Sequence, residues 1–215
     1  MTCYMFPGQG SQKIGMGEDL FDKFSKHTKT ASEILGYDIK TLCLKDPQEQ
    51  LNLTQFTQPA LYTVNVLSYL NLESPSPSVL LGHSLGEYSA LCIAGVFDFE
   101  TGLKLVQKRG ELMSQATGGA MAAVVGINID KVKEILKENN LEEIDIANLN
   151  EPLQTVISGP KEAIDKAKPL FENANVRLYL PLAVSGAFHS RYMLNAQTEF
   201  NTFLNTFSFA EPKTD

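Results

Sequence analysis

Five residues, Gly82-His83-Ser84-Leu85-Gly86, limit the fold more than any other stretch of this chain. They follow the apolar run Val79-Leu80-Leu81 and precede a small-residue segment that reads as a helix to about Gly95. A strand that becomes a helix within so few residues needs glycines for the tight backbone, and the turn pushes the intervening Ser hydroxyl into the open. The first N–H groups of the new helix then face any anion formed there. The plainer account is a capping box, Ser84-x-x-Glu87, at an ordinary helix start. The strand before and the helix after favour a nucleophile.

The rest of the chain fits an α/β body around that turn. Residues 2–6 read as a short strand that stops at Pro7-Gly8-Gln9-Gly10, and residues 13 to about 70 read as mostly helical. Ser74-Pro75-Ser76-Pro77-Ser78 is loop by its Pro and Ser content. A further helix runs from Glu100 to Ala116 and ends at Gly118-Gly119. From there the texture changes. Strands are expected at 120–127, 144–147, 154–158 and 176–180, with helices at 129–139 and from Pro160 to about Asn173, where Pro suits a helix start. That order, βαββαβ, is ferredoxin-like. The expectation is a large subdomain of residues 1–119 and 185–215 with a small ferredoxin-like subdomain inserted at 120–184, and a return to helix at 189–205.

Composition removes several function classes. Of 215 residues, 43% are hydrophobic and 20% charged, which excludes disorder, collagen and coiled coil. The formal net charge of −7 gives no general attraction to nucleic acid or an anionic membrane. Three scattered cysteines, Cys3, Cys43 and Cys92, form no CxxC, and with three His residues they leave no zinc pattern. Free thiols suit a reducing compartment. The first residues lack the basic and apolar regions of a signal peptide, and no apolar run approaches the ~20 residues that span a bilayer. A soluble, cytoplasmic protein, monomeric and without a bound metal, is expected.

Candidate chemistry lies in four other places. Phe6-Pro7-Gly8-Gln9-Gly10-Ser11-Gln12 ends the first strand; it lacks the G-x-G-x-x-G and G-K-[ST] patterns of phosphate loops, so taken alone it is a turn. Arg109 shares a helix face with Leu105, Val106, Leu112 and Met113. Either its stem packs while its head reaches water, or its guanidinium is held in a pocket to clamp a carboxylate. His189, in Gly186-Ala187-Phe188-His189-Ser190, is the base left by elimination, because His83 is expected to pack beside the turn and His27 to lie on the surface. Asn148 and Asn150, in Ala147-Asn148-Leu149-Asn150-Glu151-Pro152, read first as an ordinary turn, and Cys92 reads as core.

Together Phe6-Pro-Gly-Gln-Gly-Ser-Gln12, Gly82-His-Ser-Leu-Gly-Glu87, Arg109 and Gly186-Ala-Phe-His-Ser190 strongly resemble the malonyl-CoA:acyl carrier protein transacylase family. The nearer likeness is to free-standing acyltransferases that serve polyketide synthases. The resemblance runs the length of the chain and implies an α/β-hydrolase-like large subdomain with the ferredoxin-like insert. It implies Ser84 as the acylated nucleophile, His189 as its base, Arg109 on the malonyl carboxylate, and backbone N–H groups of Gln9 and Leu85 as the oxyanion hole. Asn148 and Asn150 match a motif that lines the family's cleft. Leu85 and Phe188 match the pattern selective for malonyl over methylmalonyl groups, a steric choice in which a ring beside the acyl C2 leaves no room for a methyl. The family's pattern continues past Asp215, with a backbone carbonyl there orienting the His, so the C-terminal part of the large subdomain is expected to lie outside this sequence.

The implied reaction is ping-pong, with malonyl-CoA as donor, no permanently bound cofactor, and an acyl carrier protein as acceptor and partner. Three rivals are weighed against it. A hydrolase of the α/β-hydrolase type would place several strands before the turn, where this chain has one. An editing acyl hydrolase of the same family would have no use for a buried guanidinium at Arg109. A non-catalytic fragment would take up no acyl group.

Overall fold

The computed structural model describes residues 1–214. In chain order its elements are β1 (Cys3–Phe6), α1 (Glu18–Lys23), α2 (Ser25–Leu35), α3 (Ile39–Leu44), α4 (Thr54–Leu70), β2 (Val79–Gly82), α5 (Gly86–Ile93), α6 (Phe99–Ser114), β3 (Gly119–Val125), α7 (Ile129–Glu138), β4 (Asp145–Glu151), β5 (Gln154–Pro160), α8 (Lys161–Asn173), β6 (Leu178–Pro181), a 3₁₀ turn (Arg191–Met193) and α9 (Leu194–Leu204). The chain divides into two units: Met1–Leu112 with Phe200–Asp215, and Met113–Glu199. The second is wider at both ends than the 120–184 insert read from the sequence, so its boundaries fall inside α6 and α9.

In the first unit β1 and β2 pair in parallel, with Cys3 opposite Val79 and Phe6 opposite Gly82. A parallel pair needs a long crossover, and α1 to α4 supply it. Two helices of this unit start at side-chain caps: Asp38 Oδ1 accepts from the Thr41 N–H at 2.9 Å before α3, and Asp98 Oδ1 accepts from the Thr101 N–H at 2.8 Å before α6. Their apolar faces meet in a core that includes Phe21, Ile39, Tyr62, Leu67, Leu103 and Val106. His27 is half-buried and stands edge-on to Phe99, ring centroids 5.2 Å apart.

The second unit is a four-stranded antiparallel sheet in the order β4-β5-β3-β6, the ferredoxin-like arrangement, with its two helices α7 and α8 packed on it. α7 buries Val132, Ile135 and Leu136 from one stripe, and α8 buries Ala163, Ile164, Ala167 and Phe171. Phe171 stacks on Tyr179 of β6, whose hydroxyl donates to the Ile164 carbonyl at 2.7 Å. Asn148 and Asn150 correct the turn reading. They lie within β4, and the turn follows at 152–153. Pairing with β5 overrides the turn composition, but register shifts between Ile146 and Asn148 and between Leu149 and Glu151 bulge the strand and re-aim its side chains.

Candidate active site

The parallel register sets two loops side by side at the carboxyl ends of β1 and β2, the edge where open α/β sheets bind ligands. Phe6 faces Gly82, so Gln9 and Leu85 each follow a paired strand end by the same offset. The approach is close: a Cβ on Gly86 would sit 2.0 Å from the Phe6 carbonyl oxygen, and one on Gly8 would sit 2.4 Å from that of His83. No larger residue fits either place without moving backbone. The His83 N–H donates to the Phe6 carbonyl at 3.0 Å and locks the two loops together. Asn65, buried on α4, donates to the Pro7 carbonyl at 3.2 Å, and the Gln9 side chain donates to Thr54 Oγ1 at 3.3 Å.

Ser84 sits in the turn with φ at +53°, a left-handed conformation that costs a non-glycine residue about 1–3 kcal/mol. The neighbouring side chain offsets it. Leu85 is fully buried in the core of this unit, and full burial of a Leu contributes about 1.5–3 kcal/mol. The capping-box account fails. α5 begins at Gly86, the residue at its cap position is Leu85, and no side chain caps it. The Ser84 hydroxyl instead accepts a hydrogen bond from Arg109 Nη2 at 3.1 Å.

Arg109 extends from α6 between buried Leu105, Val106 and Leu112, and its head does not leave for water. Nη1 donates to Gln58 Oε1 at 2.8 Å, and the guanidinium carbon lies 5.7 Å from the Tyr88 ring centroid. Burial pushes the guanidinium pKa down from its ordinary value, opposed by the nearby Tyr88 and Glu87. Among the described residues no carboxylate forms an ion pair with it. It meets the Gln58 amide and the Ser84 hydroxyl, with the Tyr88 side chain also hydrogen-bonded to it.

Sequence reasoning missed Gln58, Tyr88 and Asn65. The signal for Gln58 was present: an amide just before the apolar run Pro59-Ala60-Leu61, completely buried here, must find a polar partner. Tyr88 follows Ser84 by one helical turn, a spacing that carries no such demand.

The remaining sequence candidates belong to the second unit. His189 also has a left-handed backbone, φ +56°. Asn148 is half-buried and Asn150 exposed on β4. Phe188 is buried with Met113, Met121, Ala123 and Val156. Both side chains named for steric selectivity, Leu85 and Phe188, are therefore core residues of their units. Cys92 packs at the edge of the first core, as expected, and its thiol meets the Tyr62 hydroxyl. Among the described residues no helix is long and apolar enough to cross a membrane.

The acyl transferase domain model matches residues 3–215. The chain is 59% identical over 216 residues to the polyketide biosynthesis malonyl CoA-acyl carrier protein transacylase PksC of Bacillus subtilis, covering 99% of this chain and 75% of that protein. A crystal structure of malonyl CoA-acyl carrier protein transacylase from Burkholderia pseudomallei superposes with a TM-score of 0.95 at 52% identity, over 98% of this chain and 73% of that one. A malonyl-transacylase solved in complex with its type II polyketide synthase acyl-carrier protein matches with a TM-score of 0.90 at 37% identity, over 99% and 72%.

Proposed function

This chain belongs to the acyl transferase domain family, and we propose that Ser84, Arg109 and His189 carry that family's chemistry in it. Its reaction is the transfer of a malonyl group from coenzyme A to the thiol of an acyl carrier protein, in polyketide or fatty-acid synthesis. The observation that carries the site assignment is the Arg109–Ser84 contact: a guanidinium in no ion pair among the described residues, 3.1 Å from a hydroxyl at a strained turn.

Malonyl-CoA offers what that site lacks. Its free carboxylate stands one methylene from the thioester carbonyl. Arg109 exchanges its neutral partners for that carboxylate, and the thioester is left within reach of Ser84. His189 takes the Ser84 proton as the hydroxyl oxygen attacks. The tetrahedral oxyanion collects hydrogen bonds from the Gln9 and Leu85 N–H groups, the CoA thiolate leaves, and it recovers the proton from His189. The phosphopantetheine thiol then attacks the malonyl-Ser84 ester by the same route in reverse. Support for this oxyanion pair is the β1–β2 register and the hydrogen bonds that pin both loops. Asn148, Asn150 and Phe188 are assigned to substrate binding in the second unit, Phe188 through a ring fixed next to His189. The enzyme is read as a cytoplasmic monomer with no resident cofactor, in keeping with its −7 charge and free cysteines.

Intact mass after incubation with malonyl-CoA tests the reading. One malonyl adduct that is discharged by a holo acyl carrier protein supports it. Rapid release of free malonate without transfer turns the assignment to a hydrolase, and the absence of any adduct or turnover overturns it.

A further inference from the structure

We propose that Asp145 and Arg191 form a clamp that positions His189 for proton transfer. The inference rests on His189 being the base. Arg191 stands two residues after His189 and opens the 3₁₀ turn, and Asp145 opens β4, 46 residues earlier. One carboxylate takes every donor on that side of Arg191. Nε donates to Oδ1 at 2.9 Å and to Oδ2 at 3.1 Å, Nη2 donates to Oδ1, and the Arg191 backbone N–H donates to Oδ2 at 2.8 Å.

The residues on either side of Arg191 are tied as well. The Tyr192 hydroxyl donates to the Glu143 carbonyl at 3.0 Å. The Ser190 hydroxyl donates to the Ala187 carbonyl and accepts from the Tyr192 N–H at 3.3 Å. Residues 190–192 are thus fastened to 143–145 and back onto 187. His189 lies between those fixings in a left-handed conformation, which persists only where its surroundings over-determine it.

The ion pair adds little stability by itself. The Arg191 side chain is 60% exposed, and exposed pairs are screened by water. What a fork on a carboxylate with an added main-chain donor supplies is direction. Arg191, mainly by its side-chain hydrogen bonds, holds the Asp145 carboxyl below its ordinary pKa, so the clamp stays charged at neutral pH. A general base must meet its proton within hydrogen-bond reach, and a shift near 1 Å costs about 10²-fold in rate.

The test is the pre-steady-state rate of malonylation by malonyl-CoA, measured on the whole chain. Asp145→Ala and Arg191→Ala should each slow acylation by about 10–100-fold, with KM for malonyl-CoA little changed. The double variant should be no slower than the slower single, since the pair acts as one unit. In a His189→Ala background Asp145→Ala should add nothing, an outcome that a merely structural role does not give. Asp145→Asn keeps an acceptor for the main-chain donor and should recover part of the rate; it and Arg191→Lys, which keeps charge without the fork, give the reading if the alanine variants do not fold. Wild-type acylation in these variants, or an equal further loss on top of His189→Ala, overturns the clamp alone. Wild-type acylation by His189→Ala itself removes the base assignment, and the clamp with it.

Discussion

Arg109 Nη2 donates to the Ser84 hydroxyl oxygen at 3.1 Å, although the two residues are 25 positions apart and lie on different helices or turns of the first unit. The contact joins the group proposed for carboxylate recognition to the proposed nucleophile. A positive charge so near the hydroxyl also favours the negative charge that develops on oxygen during attack. On the proposed reading, the cation that meets the malonyl carboxylate also stands 3.1 Å from the hydroxyl assigned as nucleophile.

Ser84→Ala should abolish acyl-enzyme formation while leaving the fold intact, because the Leu85 burial that holds the turn is unaffected. Peptide mapping of the malonylated wild type checks the assignment. The label should sit on Ser84, and finding it on Ser11, Ser89 or a cysteine would refute the site.

His189→Ala should slow acylation by about 10²–10⁴-fold, the usual span for a lost general base. The measurement is the single-turnover rate with malonyl-CoA, and an unchanged rate would return His189 to a packing role.

Asp98→Ala should destabilise the first unit by about 0.5–2 kcal/mol at neutral pH, the usual worth of an N-cap. Its carboxyl is held below the ordinary value, first by the Thr101 backbone hydrogen bond. A depressed folded pKa gives stability that is present above the unfolded value, about 3.9, and is lost as pH falls through the folded one. Urea unfolding should thus separate wild type from variant at pH 7 and bring them closer together below about pH 4. A gap that stays constant with pH would show that the cap's charge is irrelevant.

Much of this was legible because single residues carried strong local demands. The glycines around Ser84 announced a sharp turn, and the alternation of strand and helix textures after Gly119 announced the ferredoxin-like order. Asn148 and Asn150 were misread because Asn and Pro report local turn preference, whereas β4 is made by pairing with β5, a contact no local pattern encodes. Gln58 was missed for a related reason. Its partner Arg109 is 51 residues away, and only the packed helices show that the two meet. The steric role of Leu85 and Phe188 is what the family resemblance implies; both side chains are buried, Leu85 in the core of the first unit and Phe188 beside Met113 and Met121.

Arg109→Ala should lose activity with malonyl-CoA and keep, or gain, some with acetyl-CoA. A guanidinium held among apolar side chains is destabilising unless it meets hydrogen-bond partners and, at its best, an anion. Here Gln58 and Ser84 satisfy two of its donors, burial lowers its pKa, and no carboxylate of the described residues pairs with it. On the proposed reading, the malonyl carboxylate completes the set. A hydrogen bond to a charged group contributes about 1.5–3 kcal/mol, so its loss should lower kcat/KM for malonyl-CoA by about 10–150-fold. An acetyl group has no carboxylate and so does not lose that hydrogen bond when the guanidinium goes; it gains where removal of the cation leaves an apolar pocket that a methyl fills. The comparison is kcat/KM for the two donors in wild type and variant, with thermal unfolding in parallel. Equal losses with both donors would mean that Arg109 serves Ser84 or the packing of α6 and not the substrate. A selective loss with malonyl-CoA, at an unfolding temperature near that of the wild type, assigns the guanidinium to the carboxylate.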